Sequence, residues 1–174
     1  MRRHATSFGR LGLSLLVLFS VGLSSVGEAK LKKGDTFPMP TLPALNRKGS
    51  IDLSKYKGKV IIIDFWASWC EPCKIELPYL NDLNKKYKGK DVVIIGVNLD
   101  EKQADALAFL KDHPVQLPLA YDGVKKVLAE KAEIEVMPTS FIIDKNGVIA
   151  ERHQAFREGD GEKIKKEVAA LLKK

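Results

Sequence analysis

Val60-Ile61-Ile62-Ile63-Asp64-Phe65-Trp66-Ala67-Ser68-Trp69-Cys70-Glu71-Pro72-Cys73-Lys74 is the stretch that decides the fold of this chain. Its first seven residues form a nearly continuous apolar run rich in β-branched side chains, the pattern of a strand buried on both faces of a largely parallel sheet. Asp64 is the exception in that run. Beyond Cys73, the apolar residues Ile75, Leu80, Leu83 and Tyr87 mark a helix, which Pro78 is expected to kink and Gly89 to end. A Cys-x-x-Cys therefore sits at the joint between a buried strand and the start of a helix.

That placement has a chemical consequence. Cys70 falls at the positive end of the helix dipole, near unpaired backbone amides that favour its thiolate, and is read as the nucleophile. Cys73, one turn in and more buried, is the thiol that resolves a mixed disulfide. Pro72 suits the first helical turn, where no amide hydrogen bond is lost. The chain has only these two cysteines. As a staple they would bridge so short a segment that little chain entropy is removed, so in an oxidising compartment the pair is better explained by reactivity.

Upstream, residues 30 to 59 carry Pro, Gly and Lys among short apolar stretches, and Asn46-Arg47-Lys48-Gly49 suggests the turn of an N-terminal β-hairpin. Leu53 to Gly58 can make one helical turn before the core begins. Downstream, Asp91 to Leu99 reads as a second buried strand, followed by Ala104, Leu107 and Leu110 at helical spacing up to His113-Pro114. Val115 to Ala120 looks like a short strand, Asp122-Gly123 a turn, and Val124, Val127 and Leu128 the stripe of a further helix. Thr139 to Asp144 and Gly147 to Arg152 read as two strands joined at Lys145-Asn146-Gly147. A last helix begins near Asp160 with Ile164, Val168, Leu171 and Leu172 on one face. The order β-α-β-α-β-α-β-β-α argues for an α/β fold with a central mixed sheet covered by helices on both sides.

The length of 174 residues and the 45% hydrophobic content fit one domain with a real core. The first 29 residues read differently. Arg2, Arg3 and Arg10 precede an apolar run from Leu11 to Val26, and Gly27-Glu28-Ala29 places small residues at the −3 and −1 positions of a cleavage site. The run is about 16 residues and diluted by serine and glycine, whereas a spanning helix wants roughly 20 mostly apolar ones. Residues 1–29 are therefore expected to be a signal peptide cut after Ala29, or else an N-terminal membrane anchor. Both place the remainder outside the cytoplasm. The net charge is +7, of which this leader supplies +2, leaving +5 spread as lysines among acids. There is no basic stripe with interleaved aromatics, so nucleic-acid binding has little support.

Phe65-Trp66-Ala67-Ser68-Trp69-Cys70-Glu71-Pro72-Cys73-Lys74, with Pro78 beyond it and Val136-Met137-Pro138-Thr139 downstream, resembles a thioredoxin-fold domain. The N-terminal hairpin, the Glu-Pro pair between the cysteines and the strand-helix insertion around Asp100 to Val115 are more similar to the TlpA-like and ResA-like extracytoplasmic reductases. The resemblance covers roughly residues 33 to 172, within a thioredoxin-like domain taken as 30–174. It implies that Pro138 is a cis-proline facing the disulfide, holding Met137 to pair with a bound substrate segment. It implies that Asp64 is a buried carboxylate behind Cys73 that accepts its proton. On the residues alone, the lesser alternative for Asp64 is a strand-end acid that reaches water or a lysine. ResA-like members often carry an uncharged amide there, so Asp64 departs towards thioredoxin itself.

By the same resemblance Glu76 lines the active-site cavity and tunes the cysteines, the alternative being a solvated helix residue. Glu71 should oppose ionisation of Cys70 by like charge and so favour a reducing couple. Trp66 and Trp69 are read as the apolar wall beside Cys70, although Trp66 could equally be plain core, with Pro72 and Met137 completing the surface that meets a substrate.

Rival readings differ in their requirements. A closed zinc site wants four ligands, and only His113 and His153 remain beside the two thiols once the leader is set aside. A thiol peroxidase of the same superfamily would place Pro and Thr ahead of Cys70, where Ala67-Ser68-Trp69 stand. A redox-silent module would leave the pair slow to alkylate. The reading that follows is a monomeric protein-disulfide reductase without a cofactor. It takes electrons from a membrane donor of the thiol-reductase type and passes them to disulfide-bearing exported proteins, apocytochromes c among them.

Overall fold

A computed structural model describes Met1 and residues 30–173. The expected leader and its cleavage site lie outside the described residues. The strands are β1 (Thr41–Pro43), β2 (Ser50–Asp52), β3 (Val60–Trp66), β4 (Val92–Asn98), β5 (Leu119–Tyr121), β6 (Thr139–Ile143) and β7 (Ile149–Gln154). The helices are α1 (Cys73–Lys86), α2 (Gln103–Asp112), α3 (Val127–Lys131) and α4 (Asp160–Leu172), and a 3-10 turn spans Leu53–Tyr56.

Every residue of β3 is buried, as its unbroken apolar run demands of a central strand. The sheet order is β5-β4-β3-β6-β7, with β3, β4 and β5 parallel and β6 and β7 antiparallel to their neighbours. Alternation along β3 divides the core. Val60, Ile62 and Trp66 pack with Leu77 and Leu80 of α1, Ala106 of α2, and Ile164 and Val168 of α4. Ile61, Ile63 and Phe65 pack on the other face with Leu128 and Ala129 of α3 and with Leu42 and Ile51 of the β1–β2 hairpin. Each such side chain is worth about 1.5–3 kcal/mol when buried. The chain is thus a thioredoxin fold, a five-stranded mixed sheet between two layers, with an N-terminal hairpin extension. The hairpin also covers the edge of β5, through an Ala44–Ala120 bridge and a hydrogen bond from Leu45 N to Leu119 O.

Helix α1 runs on through Pro78, which sits on its exposed face. Two local expectations shift. The strand expected from Val115 begins only at Leu119, because the side chain of Asn81 takes the Gln116 N–H at 2.7 Å and Pro118 has none to offer a ladder. The helix expected from Val124 begins at Val127, because the buried Asp122 carboxylate accepts the N–H groups of Leu128 and Ala129 and so fixes where its first turn starts. Val124 is left exposed.

Candidate active site

The site lies at the C-terminal ends of β3 and β4, where parallel strands leave a crevice. Trp66 is level with Asn98, and Phe65 with Thr139, so the ends of β3 and β4 and the beginning of β6 meet at one level. The segment Ala67 to Pro72 leaves β3 there, and the cis Met137–Pro138 peptide enters β6 beside it. Cys70 and Cys73 form a disulfide, with Cα atoms 5.3 Å apart.

Helix α1 begins at Cys73 with Pro72 as its cap, one turn later than a helix starting at Cys70 would. Cys70 lies ahead of the first turn. Its carbonyl accepts the Cys73 N–H, while the N–H groups of Ile75 and Glu76 go to Pro72 O. The two sulfur-bearing residues differ in access. Cys70 retains 4% exposure and Cys73 none, and Cys70, not Cys73, borders a cleft of about 750 Å³. Trp69, Glu71, Pro72, Leu99 and Met137 line the same cleft, across from the turn that follows α3. Met137 is half-buried there and Pro138 is buried behind it.

Two of the expected site residues are placed differently. Trp66 is fully buried in the core, its ring 5.4 Å from that of Phe109, so it backs the site and offers no surface to a substrate. It is still part of β3, which is buried on both faces. Trp69, in the loop, is 66% exposed and is the one of the two tryptophans that lines the cleft. Glu71 is exposed and its carboxylate lies 2.5 Å from Lys74 Nζ, so its charge is largely answered by its own neighbour before it acts on Cys70.

Asp64 and Glu76 are both buried, which removes the solvated alternatives for each. Burial pushes the Asp64 carboxyl up to about 8 from an ordinary 3.8. Glu76 is held well above the usual carboxylate range, first by burial, then by the charge of Asp64 and by that of Asp160, with only the nearby Ser140 hydroxyl acting in the opposite sense. Among the described residues, both Asp64 oxygens, Glu76 Oε2 and Ser140 Oγ make no hydrogen bond of ordinary geometry. Glu76 follows Cys73 by three positions on α1, which puts both on the helix face turned to the core. Asp64 and Glu76 are therefore a buried pair of interacting carboxyls, Glu76 lying three positions after the inner cysteine on α1.

The sequence reading missed Asp100. This buried carboxylate accepts the Ser68 N–H at 2.9 Å and the Ser68 hydroxyl at 2.7 Å, and also the side-chain amide of Asn98 at 2.7 Å. It ties the loop carrying Trp69 and Cys70 to the end of β4. A Cβ on Gly123 would stand 1.8 Å from the Asp100 carbonyl oxygen, so glycine is required where that loop approaches. The signal was available: Asn98-Leu99-Asp100 is a polar break at the C-terminal end of a buried parallel strand, where sites form. Neither remaining histidine sits with the cysteines in a ligand set. His113 stacks on Phe109 at 4.4 Å, and His153 pairs with Glu167.

A strand-loop-helix Cys-x-x-Cys disulfide whose outer cysteine shares a cleft with the residue ahead of a cis-proline defines a thiol-disulfide oxidoreductase of the thioredoxin fold. The chain belongs to the Redoxin family, which matches residues 32–171. It is 35% identical over 147 residues to the thiol-disulfide oxidoreductase ResA of Bacillus thuringiensis subsp. konkukian, covering 84% of this chain and 80% of that one. Against ResA of Bacillus subtilis (strain 168) the identity is 31% over 154 residues, covering 86% and 85%. Among solved structures, a DsbE-type thiol:disulfide interchange protein of Chlorobium tepidum superposes with a TM-score of 0.77 at 39% identity, over 82% of this chain and 99% of that one. A thiol-disulfide oxidoreductase of Bacteroides vulgatus gives 0.70 at 32%, over 82% and 99%.

Proposed function

We propose that this protein is an exported reductase of protein disulfides and that its clients include the cysteine pairs of apocytochromes c before haem attachment. Residues 1–29 direct export, 30–174 form the working domain, and a membrane dithiol donor restores the reduced state. The observation that carries the reading is the unequal access of the two cysteines: Cys70 borders a cleft walled by Trp69 and Met137 while Cys73 is sealed behind it. A client disulfide lying in that cleft along the Met137 backbone meets Cys70 first. The Cys70 thiolate attacks one client sulfur, the client S–S bond breaks, and a mixed disulfide forms. Cys73 then gives its proton to the Asp64 carboxylate and attacks Cys70 Sγ, releasing the second client thiolate. Two electrons have passed to the client and the Cys70–Cys73 disulfide is formed.

The cleft rim also carries Glu130 and Glu133 beside Lys126, while Glu71 and Glu135, on the same rim, are paired with Lys74 and Lys30. The surplus left on the rim is one negative charge, a mild preference for client segments with positive charge near their cysteines. The test is reduction of an oxidised Cys-x-x-Cys-His peptide by the reduced protein, followed by mass spectrometry. Stoichiometric reduction, with the peptide trapped on Cys70 in the Cys73→Ser protein, is the expected result. Reduction of a general substrate such as insulin without reduction of the peptide would overturn the assignment of the client.

A further inference from the structure

Asp64, Ser140 and His153 form one row across the sheet: Asp64 on β3 is the register partner of Ser140 on β6, and Ser140 of His153 on β7. Directly opposed residues of antiparallel strands point to the same face, with Cβ atoms about 4.5–5.5 Å apart. That face is covered by α1 and α4, since Ile62 and Ile142, two residues from Asp64 and Ser140, pack with Leu77, Ile164 and Val168. In an otherwise apolar layer this row is polar on all three strands. Its inner end is the fully buried Asp64 with Glu76 beside it. Its outer end is on the edge strand, where His153 Nε2 lies 2.7 Å from Glu167 Oε2 of α4 and the two side chains are 10% and 20% exposed. The charged groups facing the row are Glu76 from α1 and Asp160 and Glu167 from α4. Buried oxygens without partners are costly in ordinary packing, so the clustering of those of Asp64, Glu76 and Ser140 calls for a chemical reason.

We propose that Ser140, His153 and Glu167 form a proton route that joins the Asp64–Glu76 pair to solvent at the β7 edge, separate from the cleft where Cys70 meets its client. The inference rests on the reading of Asp64 as acceptor of the Cys73 proton. In the resolving step the Cys73 proton passes to the Asp64 carboxylate, the Cys70–Cys73 bond forms, the Cys70–client bond breaks, and the client leaves as a thiolate. One proton remains in the core while the client still covers the cleft. A hydroxyl that both donates and accepts, followed by an imidazole paired with a carboxylate, are groups able to pass it outward.

The test is a single turnover of the reduced protein with dithiobis(nitrobenzoate) at alkaline pH, above the range in which Asp64 holds its proton. The leaving thiolate of that reagent takes up no proton and is coloured, so a pH-indicator dye in weak buffer reports the Cys73 proton separately. In the wild-type protein the proton appears in bulk together with the second thiolate. Ser140→Ala and His153→Ala are expected to delay it by roughly ten-fold. Ser140→Thr, which keeps the hydroxyl, restores the wild-type timing, and added imidazole restores it in His153→Ala, neither of which a packing defect would allow. Proton and thiolate appearing together in both truncated variants would overturn the route. The Asp64→Asn protein separates the two claims. If it resolves the mixed disulfide at the wild-type rate, the reading of Asp64 itself fails. If it slows resolution while proton release in Ser140→Ala and His153→Ala stays synchronous, only the route fails.

Discussion

The Asp100 carboxylate holds Ser68 twice, by its backbone N–H at 2.9 Å and by its hydroxyl at 2.7 Å, two residues ahead of Cys70. The loop that presents Trp69 and Cys70 is thereby fastened to the end of β4 rather than left to its own conformational freedom. Hydrogen bonds to a charged acceptor are worth about 1.5–3 kcal/mol each when their loss strands buried partners. Asp100→Ala should therefore lower stability by about 3 kcal/mol, or roughly 6–12 °C in Tm for a chain of this size, and slow disulfide exchange. Calorimetry and an insulin-reduction assay check the two effects. A variant with unchanged Tm and rate would show that the loop is held by other contacts.

The proposed roles of the two cysteines rest on their unequal access. Cys70→Ser is expected to abolish exchange, and Cys73→Ser to accumulate a stable mixed disulfide with client, because only the outer sulfur can attack and only the inner one can resolve. Mass spectrometry of the trapped species reads the outcome directly. Adducts on Cys73 in the Cys70→Ser protein would reverse the assignment.

Asp64 gives a signed pH dependence. Its folded-state value is raised to about 8 from 3.8 by burial, so the unfolded chain releases the proton at much lower pH than the folded one does. The stabilising contribution of the neutral carboxyl is complete below the unfolded value and is lost as pH rises through about 8. The raised Glu76 acts in the same direction. The oxidised protein should thus lose Tm across that interval, and Asp64→Asn, with no proton to release, should flatten the decline while slowing exchange. Parallel Tm curves for the two proteins would contradict the burial of an ionisable Asp64.

Pairing with Lys74 limits what Glu71 contributes to the couple. Replacing it with histidine removes a negative charge near Cys70 and should raise the reduction potential, but an exposed pair is worth at most about 1 kcal/mol, which is roughly 20 mV for a two-electron couple. Equilibration of the Glu71→His protein with glutathione measures it. A rise several times larger would mean that Glu71 acts on the sulfur with its full charge.

The parts of this protein that could be read in its sequence are those fixed by local pattern. The unbroken run Val60 to Trp66 can be satisfied only by a strand buried on both faces, and the cysteines that follow it land at the helix start. What escaped was fixed by partners distant in the chain. Asp122 sets the start of α3 by capturing two amides six and seven residues on, and Asp100 reaches back 32 positions to Ser68, neither of which periodicity can register. Between the cleft and the core the sequence leaves Trp66 open, and its place as the last residue of β3, a strand buried on both faces, puts it in the core.

The reduction potential of the Cys70–Cys73 couple, measured by equilibrating the full protein against glutathione and dithiothreitol buffers at neutral pH, tests most directly the claim that this oxidoreductase gives electrons to its clients. The account predicts a value near that of thioredoxin, about −270 mV. A value near about −120 mV, that of a strong disulfide donor, would contradict it and turn the direction of exchange around.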